Sequence, residues 1–462
     1  MKKKLIGDKA FYKMVLTIAV PIMVQNGLSN FVNLLDNLMI GRLGTNEISG
    51  VAIANQIVFV YYLLIFGATS GVGIFTAQYH GSRNTEGVRQ TFQCKMVINT
   101  FLALCSVIFL SLFSGVLISQ FLKGEGSPED VAATLKIGKE YMQIMLFGLA
   151  PIGLANAYGG TLRDTGHTKV PMMASTIAIF TNLVVNAILI YGLLGMPALG
   201  AKGAAIATVI SRFVEFFVLA IYTGTHSDQH PFITGAFTKF ELPAALAFRF
   251  VLKSMPLMMN EVLWALGQTV MKQCYSYRSL DAVAAVNITS TIWNVLAVAF
   301  VAMGDAVGII TGQILGSGDI EKAKDHSRKM RAFSVMLGLV CGILLICVAP
   351  VFPKLYNTTE NVQQMATKLI LVYGVLMGFY AYTHTAYFTL RSGGNTLITV
   401  LFDCCFVWVI SVPAAYILSR FTSVSVVTML WIVQSLELIK CVIGAVMVMS
   451  GIWAKNIVAK TE

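Results

Sequence analysis

Long apolar runs broken by short polar connections set the rhythm of this chain. Runs of about 20 residues or more, the length a helix needs to cross a bilayer, fall near residues 14–40, 48–79, 96–121, 131–158, 170–191, 199–223, 246–276, 282–314, 333–352, 363–388, 396–419 and 424–450. They predict an all-α polytopic membrane protein with twelve transmembrane helices.

The first run differs from the rest. From Met14 to Gly44 it reads MVLTIAVPIMVQNGLSNFVNLLDNLMIGRLG, with seven polar side chains in its second half. At 100° per residue, Gln25, Asn26, Ser29, Asn30, Asn33, Asp36 and Asn37 share a sector of about 140°, opposite a purely apolar face. Unpaired polar groups in hydrocarbon each cost several kcal/mol, so this face must meet protein or water. Two readings stand. The face is the wall of a cavity, where Asp36, its one ionisable group, binds an ion or a proton. Alternatively it is a structural network of interhelical amide hydrogen bonds, with Asp36 in the outer headgroup layer. At about 1.5 Å per residue Asp36 lies roughly 35 Å along the helix from Lys13, near the outer boundary of a hydrocarbon core about 30 Å thick.

Composition agrees with the pattern: 56% of the 462 residues are hydrophobic and only 12% are charged, far from the balance of a soluble domain. The basic N-terminus (Lys2, Lys3, Lys4, Lys9, Lys13) precedes an apolar segment too long for a removable signal peptide. Placing it in the cytoplasm puts roughly twice as many Lys and Arg on that side as outside, in the sense of the positive-inside rule. An even helix count returns the C-terminus, with Lys455 and Lys460, to the same side. The expected location is a plasma (inner) membrane, with both termini cytoplasmic and the lipid bilayer as partner. The net charge of +11 is dispersed over short loops and implies no nucleic-acid partner. The eight cysteines sit mostly inside apolar runs as packing residues. No nucleotide-binding loop, metalloprotease motif, nucleophile elbow or dinucleotide fingerprint occurs, so an enzyme is not expected and transport must draw on an ion or solute gradient.

The chain is duplicated. Leu16 to Pro21 answers to Leu252 to Pro256, and Gly50-Val51-Ala52-Ile53-Ala54-Asn55 to Ala282-Val283-Ala284-Ala285-Val286-Asn287. Gly73, Thr76, Gln78, Gly81, Ser82 and Glu86 match Gly308, Thr311, Gln313, Gly316, Ser317 and Glu321 at constant separation. Six helices per half predict two lobes, residues 1–223 and 244–462, related by a pseudo-two-fold axis along the membrane normal and joined by a cytoplasmic linker at 224–243. The register carries Asn26, Asn33 and Asn37 onto Glu261, Gln268 and Lys272, a second polar stripe. Two such stripes favour the cavity reading.

Several motifs together resemble the MATE (multidrug and toxic compound extrusion) transporters: the Asn33-to-Gly44 segment, the Gly81 and Gly316 loops, Leu162-Arg163-x-x-Gly166 with Leu390-Arg391-x-x-Gly394, and Gly203-Ala204-Ala205-Ile206-Ala207-Thr208. The resemblance spans essentially the whole chain. It implies a V-shaped twelve-helix fold that works as a monomer, exporting small amphipathic, often cationic, organic compounds in exchange for Na+ or H+, with no other cofactor. It also places a cation-coupling site on Asp36, Asn182, Asn186, Ala204 and Thr208. Where some members carry a second aspartate this chain has Asn186, which leaves one carboxylate in the site. The substrate cavity is expected along Gln25, Asn26, Asn30, Asn33, Glu261, Trp264, Gln268 and Asp305. The family's other branches use a seventh-helix glutamate one turn further along, where Trp264 stands here.

Other charges receive structural readings. Arg212 with Glu215, and Glu437 with Lys440, are spaced three apart and are expected to neutralise each other. Asp305 either lines the cavity or pairs with Lys272, and Asp403 stands opposite Ser175 in the repeat. His384 reads as a packing histidine. The alternative function is a facilitator or lipid-precursor flippase of related two-lobe build, although such cavities are strongly cationic and Lys272 is the one basic residue on these stripes.

Overall fold

The computed structural model describes residues 5–122 and 127–459; Lys2, Lys3, Lys4 and Lys460, used above for topology, lie outside them. Every long element among the described residues is a helix. In chain order they are α1 (Lys9–Gly41), α2 (Thr45–Gly81), α3 (Thr85–Phe121), α4 (Pro128–Asp164), α5 (Lys169–Tyr191), α6 (Ala201–Thr225), α7 (Ala244–Ser276), α8 (Leu280–Gly316), α9 (Ile320–Val348), α10 (Glu360–Ser392), α11 (Thr396–Phe421) and α12 (Val426–Met449). Eleven of the twelve are long and apolar enough to cross a membrane. The other is α7, whose length suffices but which carries Arg249, Lys253, Glu261 and Lys272.

Several helices outrun their apolar runs. Apolar length records the lipid-crossing part, whereas a helix propagates into water wherever its first turn is capped. Asp8 Oδ1 accepts the Phe11 amide at 2.8 Å, Ser127 accepts Asp130 N at 3.2 Å, and Asp319 accepts Lys322 N at 3.0 Å. Each satisfies a donor that the helix leaves unpaired. In this way α9 begins at Ile320, about a dozen residues before its apolar run.

Packing divides the chain into two compact units, residues 24–76 with 85–258, and residues up to 23 with 77–84 and from 259 onward. The duplication and the packing therefore partition the chain differently. The division cuts α1 and α7 two residues after Pro21 and Pro256, which are equivalent positions of the repeat. In one unit, Phe11, Val15, Ile18, Ala19 and Ile22 of α1 bury against Ala302, Met303, Ala306 and Ile310 of α8. In the other, Gly67 and Gly71 of α2 admit α7: a Cβ there would lie 2.5 Å from Met258 Cα and 2.4 Å from Ser254 Cα. The ends of α2 and α8 meet just as closely. A Cβ on Gly81 would stand 1.8 Å from the Gln313 oxygen, and one on Gly316 would stand 1.9 Å from the Gln78 oxygen.

The linker after α6 is docked. Gln93, buried on α3, donates to the Ala236 and Lys239 carbonyls at 2.9 Å, and Phe232 is buried against Phe92. The segment after α12 docks likewise. Trp453 is buried, and Gln78 holds the Lys455 carbonyl at 3.1 Å and the Ile457 amide at 2.8 Å.

Candidate functional site

The polar face of α1 splits into two parts. Asn30, Asn33 and Asn37 are exposed beside exposed Phe31, Leu34 and Leu38, while Gln25, Asn26 and Asp36 are half-buried. Gln25 does not stand open. Its Nε2 donates to Ser175 Oγ of α5 at 2.6 Å, Ser175 donates to Glu215 Oε1 at 2.5 Å, and Arg212 bridges Glu215 at 3.0 Å. The expected Arg212–Glu215 pair is thus formed, and it continues into α1 through a hydroxyl.

Around Asp36 the helices converge. Asn182 and Asn186, one turn apart on α5, are both buried, because their neighbours on that face, Ala178 and Leu189, pack inward with them. Asn186 Nδ2 donates to Asp36 Oδ1 at 2.7 Å and reaches Asn182 Oδ1 at 3.0 Å. The far end of the Asn182 amide sits 3.1 and 3.2 Å from the two Asp36 oxygens. Its nitrogen turned that way serves an ionised carboxylate; its oxygen turned that way requires a proton on Asp36 or a cation between the two. Thr208 closes the group from α6, within 3.4 Å of Asn182 Nδ2, and its hydroxyl donates to the Ala204 carbonyl at 3.0 Å. The Ala204 oxygen is therefore already engaged.

Two further residues belong here. Tyr141 of α4 is buried, lies beside Thr208, and donates to Asn55 Oδ1 of α2 at 3.2 Å. Nothing in the one-dimensional pattern flags Tyr141, because a single tyrosine in an apolar run looks like packing. Asn186 Oδ1 is buried without a partner. The oxygens of Asp36, Asn182, Asn186 and Thr208 form a hard donor set of the kind that suits Na+, and the lone carboxylate equally suits a proton.

A second ionisable group lies in the other unit. Glu261 Oε1 accepts the Tyr387 hydroxyl at 3.1 Å, and Tyr387 also lies 3.3 Å from Asn260 Nδ2. Fully buried Asn260 donates to Asp403 Oδ2 at 3.0 Å and accepts the Cys404 amide at 3.3 Å. Lys440 Nζ then pairs with Asp403 Oδ1 at 2.7 Å. This corrects the expected Glu437–Lys440 pairing: Lys440 turns across to α11, and Glu437 accepts the Thr383 hydroxyl of α10. Spacing on one helix permits an ion pair, but a better-placed carboxylate on a packed neighbour outcompetes it.

Arg391, Asp403 and Asp305 all interact electrostatically with Glu261, Asp305 from a half-buried position on α8. Trp264 is exposed and Gln268 half-buried further along α7, outside this hydrogen-bonded group. Asn260 was not singled out by the sequence pattern, although its place as the repeat counterpart of Gln25 is a signal that points to it. His384 packs between Phe300 and Phe388, and Gly304 makes the room: a Cβ there would meet His384 Cδ2 at 2.5 Å.

A duplicated chain whose described residues form a multi-pass helical build, with ionisable side chains buried among the helices, has the architecture of a membrane transporter, and the family it matches is one of transporters, not enzymes. The MatE family model matches residues 21–188 and 256–417, one match in each half of the chain. The chain belongs to the MatE family. It is 24% identical over 410 residues to the probable multidrug resistance protein YoeA of Bacillus subtilis, covering 88% of this chain and 87% of that one. It is also 24% identical over 455 residues to the probable multidrug resistance protein NorM of Thermotoga maritima, covering 97% and 95%. Among solved structures, the outward-facing conformation of a multidrug resistance MATE family transporter superposes with a TM-score of 0.84 at 18% identity, covering 98% of this chain and 99% of that one. A MOP superfamily transporter from Pyrococcus furiosus, described as having a binding pocket of reversed polarity, gives 0.82 at 18% identity over 97% of each chain. These likenesses establish the fold.

Proposed function

We propose that this protein is a secondary active exporter of small amphipathic, often cationic, organic compounds, driven by exchange for Na+ or H+. The observation that carries the reading is Asp36, held by Asn182 and Asn186 at the end of a helix whose Asn30, Asn33 and Asn37 are exposed. Amides on a membrane helix that bond no other helix need water, and a carboxylate held by two of them needs a cation or a proton to become neutral. The multidrug names of the relatives support the substrate class. The coupling ion binds at Asp36, Asn182, Asn186 and Thr208, with the Ala204 carbonyl joining only if the Thr208 hydroxyl turns away from it. Substrate passes the exposed amides of α1 and the Glu261 group. Alternating access moves the lobes 1–223 and 244–462, the protein acting as a monomer in the plasma membrane with both termini cytoplasmic.

Transport in proteoliposomes with Na+ and H+ gradients imposed separately tests the reading. Ethidium or norfloxacin efflux should follow one gradient and lose that dependence in Asp36→Asn. Undiminished, still gradient-dependent efflux by the variant sinks the coupling role, and downhill flux indifferent to both gradients favours a facilitator.

A further inference from the structure

We propose that Lys440 is a tethered cation that occupies the organic-cation seat of the second ionisable group and is displaced by the charged group of a transported amphipath. The inference rests on the exporter reading above and adds to it the residue that sets how tightly a monovalent organic cation is held. Three observations meet at this side chain. Its ammonium sits 2.7 Å from Asp403 Oδ1. The rings of Phe402 and Phe406 flank it, with centroids at 5.3 and 5.9 Å. A carboxylate between two aromatic faces is the standard seat for an alkylammonium or aromatic cation, and here the protein's own lysine fills it. The remaining oxygen of Asp403 is bonded to Asn260, and from there Tyr387 leads to Glu261, so hydrogen bonds join the seat to the group assigned to substrate.

Stability does not account for the pair. A buried ion pair is commonly no more stabilising than well-packed apolar side chains of similar volume. The repeat shows that the fold does without the pair, with uncharged Ser175 and Val218 at the positions equivalent to Asp403 and Lys440. Both members of the pair belong to the second half alone. The helix that carries Asp403 is also adapted at this point. Leu401–Cys405 and Val407–Ser411 of α11 wind as wider π-turns, a geometry frequent at functional sites.

Displacement by an incoming cation leaves Asp403 neutralised throughout, because one positive charge leaves as another arrives. Lys440 has a four-carbon stem on which to swing aside, and a substrate must compete with an ammonium held at very high effective concentration. Weak intrinsic affinity for monovalent organic cations follows.

The test is equilibrium binding of ethidium, with a neutral amphipathic dye as control, to the purified full-length protein in nanodiscs. Lys440→Met should bind ethidium about tenfold more tightly, with the neutral dye unchanged. The double variant Asp403→Asn with Lys440→Met should lose that gain. In the wild-type protein, ethidium should raise the labelling of Lys440 by a small amine-reactive reagent at least about threefold, a readout that needs no variant to fold. Wild-type ethidium affinity in Lys440→Met, retention of the gain in the double variant, or labelling indifferent to ethidium each overturns the proposal while leaving the exporter reading intact. Failure of both the wild-type protein and Lys440→Met to bind either ethidium or the neutral dye overturns the exporter reading and this inference with it.

Discussion

The two halves of this chain share an ancestry of pattern and differ in where they keep their charge. In the first half the carboxylate of α1 lies near the helix end, with the buried amides of α5 around it. The register carries Asp36, Asn182, Asn186 and Thr208 onto Met271, Ile410, Ala414 and Leu430. Met271 and Leu430 are buried in an apolar core, so the second half has hydrophobic packing where the first has its candidate cation site. Nearer the proline the relation inverts. Gln25, Ser175 and Glu215 form a hydrogen-bonded relay in the first half, whereas the second has Asn260, Asp403 and Glu437 there, with Lys440 added and Glu261 alongside. The lesson is that duplication preserved the helices and the contacts between them while the ionisable groups moved to different depths. On the proposals above, one half takes a small inorganic ion and the other an organic cation.

The largest expected effect tests the group around Asp36. Asp36→Asn should lower gradient-driven efflux at least about tenfold, equivalent to about 1.4 kcal/mol or more of lost coupling, while Met271→Asp should supply no substitute because its neighbours are apolar. Efflux with unchanged gradient dependence in Asp36→Asn would remove the functional asymmetry between the halves. For stability, Asp403→Asn strands the buried Lys440 ammonium and should cost about 3–5 kcal/mol. Ser175→Ala, at the equivalent position, removes one hydroxyl link and should cost about 1 kcal/mol. Thermal melting of the detergent-solubilised variants measures both, and equal losses would show that the two networks are energetically alike.

Where the halves are the same, their variants should behave the same. Gly81→Ala and Gly316→Ala each force a methyl onto the facing backbone carbonyl, at 1.8 and 1.9 Å, and should each destabilise by about 1–3 kcal/mol. A difference well beyond that range between the two would break the symmetry of this contact.

The smallest effect concerns the two docked segments. His230 of the linker is buried, its ring 4.7 Å from that of His167, and burial with the neighbouring His167 and His226 pushes its pKa down to about 4, while Asp228 opposes the shift. The undocked linker therefore binds a proton more readily than the docked one. Docking is fully favoured above the ordinary histidine pKa of about 6.5 and weakens as pH falls from there toward 4. Amide exchange over residues 228–240, corrected for intrinsic rates, should accelerate up to about tenfold between pH 7 and 5.5. The segment after α12 is held by Trp453 and Gln78 and contains no histidine, so it should not respond. Equal acceleration in both segments would show that acid loosens the protein generally.

Much of this was legible in one dimension, and the reasons are local. A bilayer demands about 20 apolar residues per crossing, so the helices declared themselves. A period of 3.6 places Asp36 on one face with Asn33 and Asn37 whatever that face meets. The repeat register carried α1 onto α7 and led to Glu261 and Asp403. Illegible was anything that depends on which neighbour comes closer. Lys440 has Glu437 within reach on its own helix, and only the approach of α11, with its π-turns, gives it Asp403. Tyr141 enters the Asp36 group because α4 packs beside α6, and Asn260 is a central link because its full burial leaves no water to satisfy its amide. Spacing along a helix is set by covalent geometry and is written in the sequence. Partner choice among buried polar groups is set by packing between helices and by the cost of leaving any of them unpaired, and that was decided only in three dimensions.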